Sequence, residues 1–290
     1  MSGPVAHISG TALRYTTDLG PLERLKNDLA LAVRRRVFEL FMRECQPPQY
    51  ARVADFGVSG HRSHPAHYFF EALYPHPDRI TAIGREGAHW LSEAFPGLRY
   101  LEADLRAIPL ADGYFDYGIC NAVVEHAGDR ERQLALVREV CRVCRCVMFT
   151  TPNKRFPLEL HTFLPFLHWL PDPTYRAALR AIGHPSFADV ENLNLLDRRA
   201  FHALFPPERR NRVLRLGPPL LPTTLVCVSR AHPATPPPRG DGSTSADSAG
   251  ARPEPPLDGR ALGARSHTDR PGPRLTPVER VDRRAGRGAR

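Results

Sequence analysis

Three short apolar runs, each stopping abruptly at an acidic, glycine or asparagine residue, constrain this chain more than anything else in it. They are Arg52-Val-Ala-Asp-Phe-Gly-Val-Ser-Gly60, Leu101-Glu-Ala-Asp-Leu105 and Tyr114-Phe-Asp-Tyr-Gly-Ile-Cys-Asn121. Strands of a parallel sheet read this way when they are buried on both faces and their carboxyl ends open onto a ligand crevice. Three such endings at βαβ spacing point to one nucleotide-like ligand lying across the edge of the sheet.

The surrounding pattern fits that frame. Apolar residues recur at helical spacing from Pro21 to about Cys45, before Pro47-Pro48 stops the helix. Strands are predicted over 51–56, 80–83, 98–102, 115–120 and 146–150, with helices over 65–74, 87–95 and 130–141 between them. A further helix over 195–204, capped near Asp197, precedes two closing strands at 212–216 and 224–228. Alternation of this kind specifies an α/β doubly wound sheet of about seven strands, mostly parallel with an antiparallel closing strand. Between strand five and the later helix, the Pro- and aromatic-rich stretch from Pro152 to Pro173 has no regular period. It reads as an insertion packed over the carboxyl end of the sheet. The expected organisation is an N-terminal segment 1–49 with its amphipathic helix, a domain over 50–230 with the insertion at 152–194, and a tail at 231–290. That tail is dominated by Pro, Gly, Ser, Ala and Arg, cannot bury enough apolar area to offset its ordering entropy, and is expected to be disordered.

Composition excludes more than it identifies. The net charge of +9 invites a nucleic-acid reading, but only Lys26 and Lys154 are lysines, and a skew toward Arg this strong reads as coding bias. No specific nucleic-acid partner is expected, and the run Arg34-Arg-Arg36 reads as a solvated helix face. No apolar stretch is long enough to span a membrane, the N-terminus does not read as a secretory signal, and a cytoplasmic protein is expected. Cys141-Arg-Val-Cys-Arg-Cys146 resembles half of a zinc site, but no second half with ligand spacing exists. The six cysteines therefore read as buried thiols, and no metal ligand is assigned among them or elsewhere.

The carboxyl ends of the strands carry the chemistry. Asp55-Phe-Gly57-Val-Ser59-Gly60 closes strand one, where Gly lets the backbone approach a ligand and a carboxylate can accept from an ammonium. Strand two runs out at Gly84-Arg85-Glu86, and an acid there can accept from ribose hydroxyls. Strand three ends at Asp104-Leu105, and strand four at Asn121-Ala-Val-Val-Glu-His126.

In this order the pieces resemble class I S-adenosylmethionine-dependent methyltransferases, the group that includes quinone-biosynthesis methyltransferases. The likeness rests on Asp55–Gly60, Glu86, Asp104 with Ile108-Pro109 and Phe115-Asp116, Val124-Glu-His126, and Glu139 with Arg142-Val143. It covers residues 50–153 well and the next hundred loosely. It implies a Rossmann-like fold and S-adenosyl-L-methionine as cofactor. Asp55, Gly57, Ser59 and Gly60 would border the methionine part, Glu86 the ribose, Asp104 and Leu105 the adenine, and Asn121 the backbone near the sulfonium. Two departures stand out. Ser59 and His61 occupy positions that are commonly Gly, and Gly84 stands where the strand-two acid usually does. His126 and His161 are the candidate bases for a small-molecule acceptor, with Phe156, Phe163, Phe166 and Trp169 expected to enclose it; the resemblance also allows Glu125-His126 to help hold a divalent ion, as in some quinone methyltransferases. Two rivals remain at this point: a non-catalytic binding protein with the same fold, and a nicotinamide-dependent oxidoreductase. The second would want G-x-G-x-x-G, which Gly57-Val-Ser-Gly-His-Arg62 does not supply.

Overall fold

The structure, a computed structural model, describes residues 21–62, 64–85 and 87–232, and side chains from residue 28 onward. The tail expected to be disordered lies outside the described residues, apart from Ala231 and His232.

Seven strands form one sheet: β1 (Val53–Phe56), β2 (Ile80–Gly84), β3 (Arg99–Glu102), β4 (Phe115–Asn121), β5 (Cys144–Pro152), β6 (Arg210–Leu216) and β7 (Thr224–Arg230). Their order is β3-β2-β1-β4-β5-β7-β6. β1 pairs in parallel with β2 and β4, which places it at the centre and puts Asp55 level with Ala82 and Ile119. β7 runs antiparallel between β5 and β6, so the closing strand is the reversed one, as expected.

The period of two along a strand builds two cores from one sheet. In β1, Ala54 and Phe56 face one layer while Val53 faces the other; in β7, Leu225 and Cys227 alternate with Val226 and Val228 in the same way. The first layer is covered by α4 (Arg130–Val143) and α6 (Arg198–His202). The second is covered by α1 (Pro21–Cys45), α2 (Phe69–Leu73) and α3 (Trp90–Ala94). Asp129 caps α4 by accepting from the Arg132 amide at 2.9 Å, and Leu136, Val137 and Val140 fill the stripe beneath it. α1 docks through Val37, Leu40 and Phe41, and the Phe41 ring meets Phe70 of α2 edge-on at 5.2 Å.

Two expectations change. The insertion at 152–194 contains a helix, α5 (Asp172–Ala181), which starts where the stretch without period ends and which the preceding prolines hide from a periodicity reading. Its Arg176 pairs with Asp172 one turn earlier at 2.7 Å, and Tyr175, Leu179 and Ala188 make a small core of their own. Arg34, read as solvated, is half-buried while Arg35 and Arg36 are exposed; its charge interacts with Asp55 and Glu125. All six cysteines are free and buried, with Cys141 on a helix and Cys146 on a strand. Among the described residues no helix is long and apolar enough to cross a membrane.

Candidate functional site

The tip of β1 is shaped by two close crossings. Gly57 takes φ +95°, and a Cβ there would lie 2.3 Å from Val123 Cγ2. Gly84, at the end of β2, would place a Cβ 2.4 Å from the Val58 carbonyl oxygen. Both positions need glycine for space, and Gly57 also for conformation. The amides of Gly57 and Val58 both donate to the Ile83 carbonyl, at 2.7 and 3.1 Å. These amides therefore pin the loop to β2 instead of facing a ligand, so the loop's ligand-facing groups begin after Val58, with Ser59 half-buried and Gly60 exposed.

Asp55 is buried at this tip, and Glu71 of α2, 2 % exposed, lies against it. Apart from Asp55, neither Glu71 carboxyl oxygen has a hydrogen-bond partner among the described residues. Burial, and then the neighbouring Glu71, push Asp55 well above the usual carboxylate range; burial pushes Glu71 up to about 7. Arg34 opposes the shift of Asp55 from across the site. Two buried carboxyls with one nearby cation attract positive charge, whose arrival would release protons. Glu71 was invisible in the sequence because Phe69-Phe-Glu-Ala-Leu73 reads as an ordinary amphipathic turn.

Further along the edge the picture departs from expectation. Glu86, the expected ribose acceptor, lies outside the described residues. Asp104 is not an open acceptor. Arg106 clamps it through Nη2 at 2.6 Å, Nε at 3.0 Å and the backbone amide at 2.9 Å, with Arg85 at 3.5 Å. The Arg106 hydrogen bonds hold the Asp104 carboxyl down at about 2. Leu105 is buried in the core layer with Ile108 and Val124. Asp104 follows β3, two strands from β1, so roughly 10 Å of edge separates it from Asp55 at about 4.8 Å per strand.

At the tip of β4 the chain turns sharply: Ala122 adopts φ +54°, a strained conformation for alanine. The turn is held by Thr150, whose hydroxyl donates to Asn121 Oδ1 at 2.7 Å and accepts from the Ala122 amide at 3.1 Å. Beyond it Glu125 is fully buried; Oε2 accepts from the Thr151 hydroxyl at 2.9 Å, and Oε1 has no partner.

His126 and His161, distant in sequence, meet with their Nε2 atoms 3.2 Å apart. His126 Nδ1 donates to the Asn192 carbonyl at 2.6 Å, and His161 Nδ1 donates to Glu159 Oε1 at 2.6 Å. Glu159, 2 % exposed, also accepts from the His161 and Thr162 amides and the Thr162 hydroxyl. Despite burial these donors hold its carboxyl down at about 2, and its charge raises His161. The histidines are thus one linked unit, not two independent bases. Glu159 was missed because nothing about Leu158-Glu-Leu160 in a Pro-rich stretch marks it as an anchor. His168 is a packing residue, its Nε2 donating to the Phe156 carbonyl at 2.9 Å. Phe166 and Trp169 are 55 % and 50 % exposed, and Trp169 lines a hollow of about 250 Å³ with Lys154, Arg155, Leu170 and Asp197.

Residues 80–146 match a family model described as a methyltransferase domain. Comparison with curated proteins finds no match. Among solved structures, a protein from Pyrococcus horikoshii is similar at 14% identity over 75% of this chain and 95% of that one, with a TM-score of 0.49. A possible exported protein from Bordetella parapertussis is similar at 15% identity over 78% and 76%, TM-score 0.48. The 1,6-didemethyltoxoflavin-N1-methyltransferase of Burkholderia thailandensis, solved with 1,6-didemethyltoxoflavin and S-adenosylhomocysteine, is similar at 15% identity over 73% and 91%, TM-score 0.46. Residues 80–146 thus match a methyltransferase domain, and they lie within a seven-stranded sheet of order β3-β2-β1-β4-β5-β7-β6.

Proposed function

We propose that this protein transfers the methyl group of S-adenosyl-L-methionine to a small-molecule acceptor, with the cofactor along the tips of β1 to β4. One observation carries the reading: Asp55 and Glu71 are two buried carboxyls beside a glycine-shaped turn, and among the described residues Glu71 has no hydrogen-bond partner but Asp55. Such a pair suits the cationic methionine end of the cofactor, whose sulfonium supplies an activated methyl group. Asp55 and Glu71 hold the cationic end, Gly57 keeps the turn open beside Val123, and Asn121 fixes the backbone turn at β4. Because the leaving group is already activated, the protein's share is to orient the acceptor and exclude water.

The domain over 50–230 carries the site, and the insertion at 152–194 forms its acceptor side through Glu159, His161 and Asn192. The linked pair His126–His161 faces the acceptor atom. Scaffold and nicotinamide readings give different results in a calorimetric titration of the full chain with S-adenosylmethionine, S-adenosylhomocysteine and NADH. Micromolar binding of the first two alone is expected. Binding of none, or of NADH, by folded protein overturns the reading.

A further inference from the structure

The hydrogen-bond directions around the two histidines leave something out. The Asn192 carbonyl can only accept, so His126 carries its proton on Nδ1. Glu159 is ionised by its own set of donors, so His161 also carries its proton on Nδ1. With both rings neutral each presents its Nε2 lone pair, and the two Nε2 atoms lie 3.2 Å apart, so that either a shared proton or a metal ion joins them. The third participant has the same character: Glu125 is fully buried, Thr151 occupies Oε2, and Oε1 has no partner. Ligand atoms of all three residues lie within 4.8 Å of one another.

We propose that Glu125, His126 and His161 bind one divalent transition-metal ion of the zinc class. Two imidazole nitrogens on a tetrahedral zinc, at about 2.0–2.1 Å each, are themselves about 3.4 Å apart, close to the separation found. A Glu125 carboxylate oxygen lies within 4.8 Å of both nitrogens, so small side-chain movements close the set. Each ligand is oriented through the atom it does not offer the ion: His161 by Glu159, His126 by Asn192, Glu125 by Thr151. That is the outer-shell arrangement of built metal sites, and it reaches across three separate segments of chain. Imidazole donors favour zinc, copper, iron or nickel over magnesium, calcium or manganese. Arg34 is the competing cation for Glu125. Three protein ligands would leave the fourth position of a tetrahedral zinc to another ligand. The ion's role toward the acceptor rests on the methyl-transfer reading; its binding does not.

The test uses the full chain, stripped with chelator, dialysed, and titrated with Zn²⁺ by calorimetry and with Co²⁺ by visible absorption. The expected result is one ion per chain with micromolar or tighter affinity. The Co²⁺ spectrum should lack a thiolate charge-transfer band, since the cysteines are not ligands. His161→Asn and His126→Ala should weaken binding at least a hundredfold, and Glu159→Gln, which only orients His161, about tenfold. S-adenosylhomocysteine affinity, read separately, should stay within twofold in His161→Asn. Failure of the cofactor site alone would therefore not mimic failure of the metal site. Folded wild-type protein that binds no ion below millimolar concentration overturns the proposal. So does binding that survives both histidine substitutions, or a thiolate band in the Co²⁺ spectrum.

Discussion

Gly57→Ala is the substitution whose cost follows most directly from geometry. Two independent penalties are involved. An L-residue at φ +95° costs about 1–2 kcal/mol in backbone strain. The new methyl also meets Val123 Cγ2 at 2.3 Å and Cγ1 at 3.0 Å, far inside contact distance, and overpacking of this kind costs about 1–3 kcal/mol. The expected loss is therefore about 2–5 kcal/mol, from the sum of those two ranges. The parts separate in a double-mutant cycle. Val123→Ala removes both Cγ atoms, so Gly57→Ala in that background should cost only the conformational share of about 1–2 kcal/mol. Urea unfolding followed by circular dichroism gives all four stabilities, provided the m-values agree. The same cost in both backgrounds would refute the contact, and a loss below about 0.5 kcal/mol would refute the turn geometry altogether.

Other outcomes follow from the buried charges. Glu71 is raised from 4.5 to about 7, so the folded state favours its protonated form. That stabilisation is complete below pH 4.5 and is lost as pH rises to about 7. Glu71→Gln should accordingly stabilise the protein by about 1–3 kcal/mol at pH 8 and little at pH 4 in urea melts; a pH-independent effect would contradict this. A cation entering beside Asp55 and Glu71 should displace protons, so S-adenosylmethionine should bind more tightly as pH rises through 7, with proton release visible in buffers of different ionisation heat. Glu159, held down at about 2, contributes stability above 4.5 that disappears as pH falls to about 2. Glu159→Ala should cost about 3–5 kcal/mol at pH 7 and little near pH 2 in acid-dependent unfolding. Arg142 links Glu139, Asp112 and the Leu110 and Ile108 carbonyls between α4 and the entry to β4. Its replacement by Ala should cost about 2–3 kcal/mol, checked by the same urea assay.

The sheet was legible because its chemistry is local: an apolar run ending at Asp55 or Asn121 marks a strand tip whatever surrounds it. Its fully buried strands need little more than composition and spacing to find. What escaped depends on contacts between segments. Glu71 looks like the polar residue of a short helix until the fold sets it against Asp55. Arg34 looks like its two neighbours in an arginine run until one helix face is buried. Asp104 was placed correctly at an edge, but Arg106, two residues on, takes the lone pairs that an adenine amine would need. His126 and His161 were both visible as chemically capable residues. Their Nε2 contact, and the Glu159 and Asn192 partners that fix their protons, exist only in three dimensions. α5 was hidden by the prolines before it, because a helix starting at Asp172-Pro173 is favoured by a proline in its first turn, where a sequence reading sees a breaker.

The most direct test of the central claim is a crystal structure of the full chain with S-adenosylhomocysteine. The nucleoside should lie along the tips of β1, β2 and β3, with the homocysteine ammonium within hydrogen-bond distance of Asp55 or Glu71 and its sulfur toward Asn121. A ligand seated anywhere else, with Asp55 and Glu71 still facing only each other, would contradict it.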